Sequence, residues 1–121
     1  MAKRKQSKRR PKPPVESERY TDPEGNVLVL RKGLSLATVA KINQPPKSEA
    51  ATLDDAWQRR EELVFERLVI SWEIEGLPLD DQKMLLGRYR MAGPDERRWV
   101  RATIAEHIDA WIPGLEPPRA L

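Results

Sequence analysis

Seven cationic side chains stand within the first 14 residues of this 121-residue chain, and no acidic residue accompanies them. Since the chain holds 22 Lys/Arg and 19 Asp/Glu, residues 15–121 keep 15 Lys/Arg and sum to a net charge of −4. Such a segment neutralises phosphates and binds nucleic acid without sequence preference, and it also docks on acidic protein surfaces. The residues predicted to bind nucleic acid or another anionic partner are Lys3, Arg4, Lys5, Lys8, Arg9, Arg10 and Lys12.

The rest of the chain contains few candidate catalytic residues. His107 is the only histidine, and it falls on the apolar side of a predicted helix, where a hydrogen-bonded structural imidazole is the common case. Adjacent acidic pairs such as Asp80 and Asp81 point about 100° apart on a helix, so they do not converge as paired catalytic carboxylates do. We therefore expect no catalytic residues and no enzyme.

Metal, cofactor and membrane classes are also disfavoured. The absence of cysteine excludes a disulfide framework and Cys-based metal sites. His107 and Asp109 supply too few ligands for zinc, and no glycine-rich phosphate loop is present. No apolar segment follows the basic N-terminus, and residues 63–74 are too short and too charged to span a bilayer. We expect a cytoplasmic protein without metal, cofactor or membrane partner.

The clearest helical pattern begins near Thr52, which with Asp55 resembles a capping box. It continues to residue 74 and is apolar on most sides from residue 63 onward, which is typical of a core helix. One alternative stays open, because residues 69–74 alternate and are rich in β-branched side chains, as a strand would be. The apolar positions at helical spacing are Leu53, Trp57, Val64, Leu68 and Trp72.

A second helix is predicted from Asp80 or Asp81 to about Met91, with Asp80 as its N-cap. Its interior glycine, Gly87, costs about 1 kcal/mol relative to alanine, so close packing against another helix is the expected reason for it. The residues predicted to turn inward are Met84, Leu85, Tyr89 and Ala92.

A third helix is predicted over residues 94–112, with Pro94 at its first position after the joint at Gly93. The joint has the length of a helix-turn-helix turn, which would suit DNA binding. Asp95 and Glu96, however, occupy the positions that would approach the groove, and they disfavour that interpretation.

The N-terminal part of the body has the pattern of a hairpin. Residues 22–25 read Asp-Pro-Glu-Gly, as in a type I turn, and the β-branched run 26–31 predicts a strand paired with the segment ending at Tyr20. The predicted fold class is mainly α: a three-helix bundle over residues 52–112 with a short N-terminal β-hairpin and a disordered basic N-terminal arm.

Four segments follow from this pattern. Residues 1–18 are predicted as a disordered basic arm, and residues 19–48 as a β-hairpin, a short helical turn and a proline-containing linker. Residues 49–112 are predicted as the helical domain, and residues 113–121 as a disordered tail.

Aromatic side chains are the candidate protein interface, since those not needed in the core should lie in an apolar surface patch. Sixty-odd core residues form a marginal core alone, so association with a protein partner or with a second copy would add stability. The candidates are Trp57, Phe65, Trp72, Trp99 and Trp111.

The run from Phe65 to Leu79 joins a helix to Ser-Trp-acidic, then Gly-x-Pro and another helix. It resembles small tail-assembly chaperones of actinobacterial phages and prophages. That resemblance implies a short, mostly helical, non-catalytic protein that binds the tape-measure protein during tail growth. We therefore expect a helical adaptor or chaperone-like protein that binds a protein partner. The alternative is a small nucleic-acid-associated protein that binds through its basic arm.

Overall fold

A computed structural model gives the structure of residues 16–44 and 53–115, the first five of the second range by their backbone alone. Strands and helices alternate in pairs along these residues. The elements are β1 (Ser17–Thr21), β2 (Val27–Arg31), α1 (Leu36–Asn43), α2 (Leu53–Leu68), β3 (Val69–Ile74), β4 (Leu77–Leu79), α3 (Gln82–Arg90) and α4 (Pro94–Trp111).

The four strands form one antiparallel sheet in the order β1-β2-β3-β4. The predicted three-helix bundle over residues 52–112 is therefore wrong, and the chain has an α+β fold rather than a mainly α one. The first predicted helix ends at Leu68, and the residues after it pair with the N-terminal hairpin. The strand that the alternation at residues 69–74 left open is the one that forms.

The reason lies in what each conformation can bury. Trp72 of β3 stands opposite Leu28 of β2, and both side chains have no exposed surface. Their register changes after Val29, so that Leu30 faces Val69 and one extra residue, Ile70, bulges out of β3. A short apolar run fits both helical and strand periods. The free edge of β2 favours the strand, because it offers residues 69–74 both backbone hydrogen bonds and apolar side chains to pack against.

A two-residue turn connects β3 to β4. Glu75 and Gly76 have φ angles of +52° and +80°, the left-handed values that a tight hairpin turn of the type I′ class requires at both positions. The backbone N–H of Glu75 donates to Oδ1 of Asn26 at 3.0 Å, which ties this turn to the β1–β2 turn. The Gly-x-Pro motif at residues 76–78 therefore belongs to a β-hairpin and does not mark a break between two helices.

The N-terminal hairpin forms with the predicted partners. Tyr20 pairs with Leu28, and the Gly25 N–H donates to the carbonyl of Asp22 at 3.0 Å to close the turn. The carboxylate of Asp22 accepts from the backbone N–H groups of Glu24 and Asn26. The prediction of a strand and turn in this region is confirmed.

Capping residues fix the starts of the remaining helices. Ser35 caps α1 through Thr38, and Asp81, rather than Asp80, caps α3 through the N–H of Met84 at 3.1 Å. Pro94 begins α4, as predicted. The start of α2 at Leu53 lies next to Thr52, so the predicted capping box falls outside the described residues.

One apolar core joins the helices to the sheet. The predicted division between residues 19–48 and 49–112 therefore does not separate two units: β2 and β3 are neighbours, and Ile42 of α1 belongs to the same core. Ser17 and Glu18, predicted within the arm, belong to β1. Leu115, predicted within the disordered tail, is 2% exposed in the core, and the Gly114 carbonyl accepts from Asn43.

Replacing the core leucine of β2 tests this architecture. Leu28→Ala should lower the free energy of unfolding by about 3 kcal/mol, since it removes a fully buried side chain from the contact with Trp72. Leu36→Ala is the matched control, because Leu36 is 89% exposed and its loss should change stability by less than about 0.5 kcal/mol. Urea denaturation followed by circular dichroism measures both. Equal, small effects would show that the hairpin does not share the core.

Candidate functional site

The predicted binding residues separate into three groups in the structure. The seven cationic residues from Lys3 to Lys12 and the side chain of Trp57 lie outside the described part of the chain. Phe65 and Trp72 have no exposed surface, so a partner cannot reach them without opening the core. Trp99 and Trp111 are the remaining candidates for surface contact.

These two tryptophans lie toward opposite ends of α4. Trp111 is 43% exposed, and the Lys32 ammonium lies 4.2 Å from the centre of its ring. That cation–π contact covers one face of the ring with a residue of the same chain. Trp99 is half-buried against the core, and it lines the cleft described below.

His107 connects α4 to the first hairpin. Its Nε2 lies 2.6 Å from the carbonyl oxygen of Arg31, and its Nδ1 lies 2.7 Å from the Tyr20 hydroxyl. A carbonyl only accepts, so Nε2 carries the proton and Nδ1 accepts from Tyr20. Burial, partly offset by the Arg31 carbonyl, lowers the pKa of His107. Because the ring is buried and both nitrogens are occupied, His107 is placed to support the fold rather than to take a proton from a ligand.

Glu61 is the second buried ionisable group, and it holds three helices together. Its carboxylate on α2 accepts from the Tyr89 hydroxyl of α3 at 2.5 Å and from Nε of Arg101 on α4 at 2.8 Å. The guanidinium of Arg97 lies 3.8 Å away. Burial, with the neighbouring carboxylate, raises the pKa of Tyr89. Since these donors surround the carboxylate, its buried charge is compensated within the fold and not by a ligand.

The outer side of α3 carries an apolar surface that sequence reasoning missed. Met84 and Met91 are 60% and 84% exposed, and their spacing of seven puts them on one side of the helix, with Gly87 between them. Apart from its two chain neighbours and the backbone of its own helix, no atom of the described residues lies within 4 Å of a methyl group built at Gly87. We call Met84, Gly87 and Met91 the methionine face.

The methionine face corrects two predictions. Met84 was expected to turn inward, whereas the buried side of α3 is set by Leu85 and Tyr89. Their spacing of four is the signal that could have shown this, because Met84 lies about 100° from Leu85. The close packing expected at Gly87 is also absent among the described residues. The glycine therefore leaves an open notch between two exposed methionines.

A cleft of about 1080 Å³ lies on another part of the surface. It opens between the β1–β2 turn, the β3–β4 turn at Glu75 and the N-terminal half of α4. Its apolar lining includes Ile74, Pro94 and Trp99, and acidic side chains from all three parts of the chain stand around it. The cleft thus combines an aromatic wall with negative charge.

Other classes of site find no support in residues 16–44 and 53–115. This part of the chain contains no cluster of three or more His, Cys, Asp or Glu side chains that could hold a metal. None of its helices is both long and apolar enough to cross a membrane. Comparison of the chain with protein-family models, curated proteins and solved structures finds no match. The surfaces of the molecule are therefore what indicates its function.

The pH dependence of stability tests the role of His107. Because its pKa is lowered in the fold, the unfolded chain takes up the proton first, at its ordinary pKa of about 6.5. The free energy of unfolding should therefore fall as the pH is lowered from about 7.5 to about 5.5. His107→Gln keeps a donor and an acceptor but does not titrate, so its stability should depend less on pH in this window. Urea denaturation at each pH measures this. If the free energy of unfolding of His107→Gln changes with pH as much as that of the unsubstituted chain, other groups cause the effect.

Proposed function

We propose that this protein is a non-enzymatic, chaperone-like adaptor that binds a helical segment of another protein through the methionine face. The observation that carries the proposal is the open notch at Gly87 between the exposed Met84 and Met91. Glycine inside a helix destabilises it by about 1 kcal/mol relative to alanine. No contact with the described residues offsets that cost, and we assign the offset to a contact with a partner.

The chemistry of the face suits a partner helix. Methionine is flexible and polarisable, and it adapts to apolar surfaces of differing shape. A notch flanked by two such side chains at helical spacing accepts one large apolar residue of an amphipathic helix, in the manner of a knob in a hole. Two exposed methionines therefore serve as the walls of a shallow binding surface.

Charge distinguishes a partner helix from a second copy of this chain. Helix α3 carries three cations and no acidic residue, but Arg88 and Arg90 already pair with acidic residues of the same chain. Lys83 is the cation of α3 that forms no ion pair with the described residues. Two copies of the face would oppose one Lys83 to another, whereas a helix with an acidic residue beside its apolar stripe would be complementary to it. The resemblance of residues 65–79 to phage tail-assembly chaperones names the tape-measure protein as a candidate partner, although residues 69–79 form the β3–β4 hairpin rather than a link between two helices.

Filling the notch tests the proposal without damaging the fold. Gly87→Leu should fold with equal or greater stability, because the first atom of the added side chain, the Cβ, meets open space and leucine favours a helix over glycine. It should abolish capture of the partner from native lysate by the tagged full chain. Leu36→Ala, on an exposed leucine of α1, is the control that should keep capture.

Capture alone does not support the proposal, because the captured protein must also be held at α3. Cross-links from residue 84 or 91 should map to a helical segment of the protein that the Gly87→Leu variant loses. Retention of the same protein by the Gly87→Leu variant would contradict this function.

The second candidate function is nucleic-acid binding by the arm, which the seven cations of residues 3–12 favour. If all seven contacted phosphates, the logarithm of the DNA association constant would fall with the logarithm of salt concentration with a slope of about −6. Duplex DNA and RNA binding by the full chain and by a chain lacking residues 1–14 checks this. Weak binding by both forms would exclude this candidate function. Strong binding by the full chain with a steep salt dependence, together with weak binding by the chain that lacks residues 1–14, would support it.

A further inference from the structure

The cleft carries a negative charge that its own arginines do not balance. Its lining holds five carboxylates and two guanidiniums, a net charge of −3. The two arginines are engaged: Arg88 pairs with Glu96 at 3.0 Å, and Arg98 pairs with Asp95 at 2.8 Å. A ligand of the cleft must therefore bring its own positive charge.

Two carboxylates remain for such a ligand. Asp22 is buried, and its oxygens accept from its own turn. Glu24 and Glu75 are exposed, and neither forms an ion pair with another residue of the described ranges. They belong to two adjacent turns that Asn26 joins, and Trp99 lines the same cleft. Carboxylates beside an indole ring suit guanidinium groups, which pair with the former and stack on the latter.

We propose that the basic segment at residues 3–12 of the same molecule binds this cleft, with Arg9 and Arg10 next to Glu24, Glu75 and the ring of Trp99. The segment and the cleft are complementary in charge, since residues 1–14 carry seven cations and no anion. The proposal does not depend on the methionine face, which is a different surface.

The length of the chain allows this contact within one molecule. Glu16 is held at the start of β1 by the Lys32 N–H, at the opposite end of the strand from the Asp22 turn. Asp22 lies six positions after Glu16, so the strand advances about 20 Å. An extended proline-containing chain needs about six or seven residues to return over that distance. Arg10 and Arg9 stand six and seven residues before Glu16.

Binding of this kind has a regulatory consequence. Exposed ion pairs are individually weak and are screened by salt, so several must act together and the contact must weaken as salt rises. The arm cannot then contact a nucleic acid or an acidic partner with the same cations while it occupies the cleft. The cleft would act as an internal competitor for every anionic ligand of the arm.

A spin label on the arm tests the proposal in the full chain. The sequence has no cysteine, so Ser7→Cys gives a single attachment site for a nitroxide. At low salt the label should broaden the amide signals of Glu24 and Glu75 and the indole signal of Trp99. Glu24→Gln combined with Glu75→Gln should remove the broadening, and so should high salt. Glu106→Gln with Asp109→Asn, which removes the same charge from exposed positions of α4 outside the cleft lining, is the matched control and should retain it.

Three outcomes would overturn the proposal. Broadening that persists in the Glu24→Gln, Glu75→Gln chain, or that is absent at low salt, would place the arm elsewhere. Broadening in a mixture of isotope-labelled chain without nitroxide and unlabelled chain with nitroxide would show that the arm reaches a second copy rather than its own cleft. Capture of partner by the methionine face is measured separately, so failure here leaves that result unaffected.

Discussion

The pairing of β2 with β3 is the interaction on which the rest of the structure depends. It places Leu28 against Trp72 in the core and takes residues 69–74 out of the helix that was predicted to contain them. Once β3 is a strand, its turn at Glu75 and Gly76 must be tight, and the N–H of Glu75 is placed to meet Asn26. The same pairing brings the β1–β2 turn, the β3–β4 turn and α4 around one cleft. A bundle of three helices would contain neither the sheet nor that cleft.

Local signals in the sequence predicted the elements whose cause is local. The Asp22 turn, the strand after it and the start of α4 at Pro94 each depend on a few adjacent residues, and each was predicted. The fate of residues 69–74 depends on a strand some 40 residues earlier in the chain, which periodicity does not reveal. The exposure of Met84 was missed for a related reason, since an apolar residue was assigned to the core before the buried side of α3 was fixed by Leu85 and Tyr89.

The buried side chains best suited to acid–base chemistry instead hold elements of the fold together. His107 links α4 to the hairpin, and Glu61 links α2 to α3 and α4. Two fully or nearly buried polar groups in a small core are costly unless they are hydrogen-bonded, and here both have their partners. The surface is left with binding chemistry: thioethers on α3, carboxylates around the cleft and an indole in its wall. This distribution is the physical reason for proposing binding rather than catalysis.

Arg88 connects helix α3 to the core and to the cleft. It stands one turn after Met84 on α3, its guanidinium lies 5.2 Å from the centre of the Trp72 ring, and it pairs with Glu96 in the cleft lining. Because Glu96 is already paired, the carboxylates left for the cations of the arm are Glu24 and Glu75. The methionine face and the cleft thus use different side chains, so a substitution in one surface leaves the groups of the other in place.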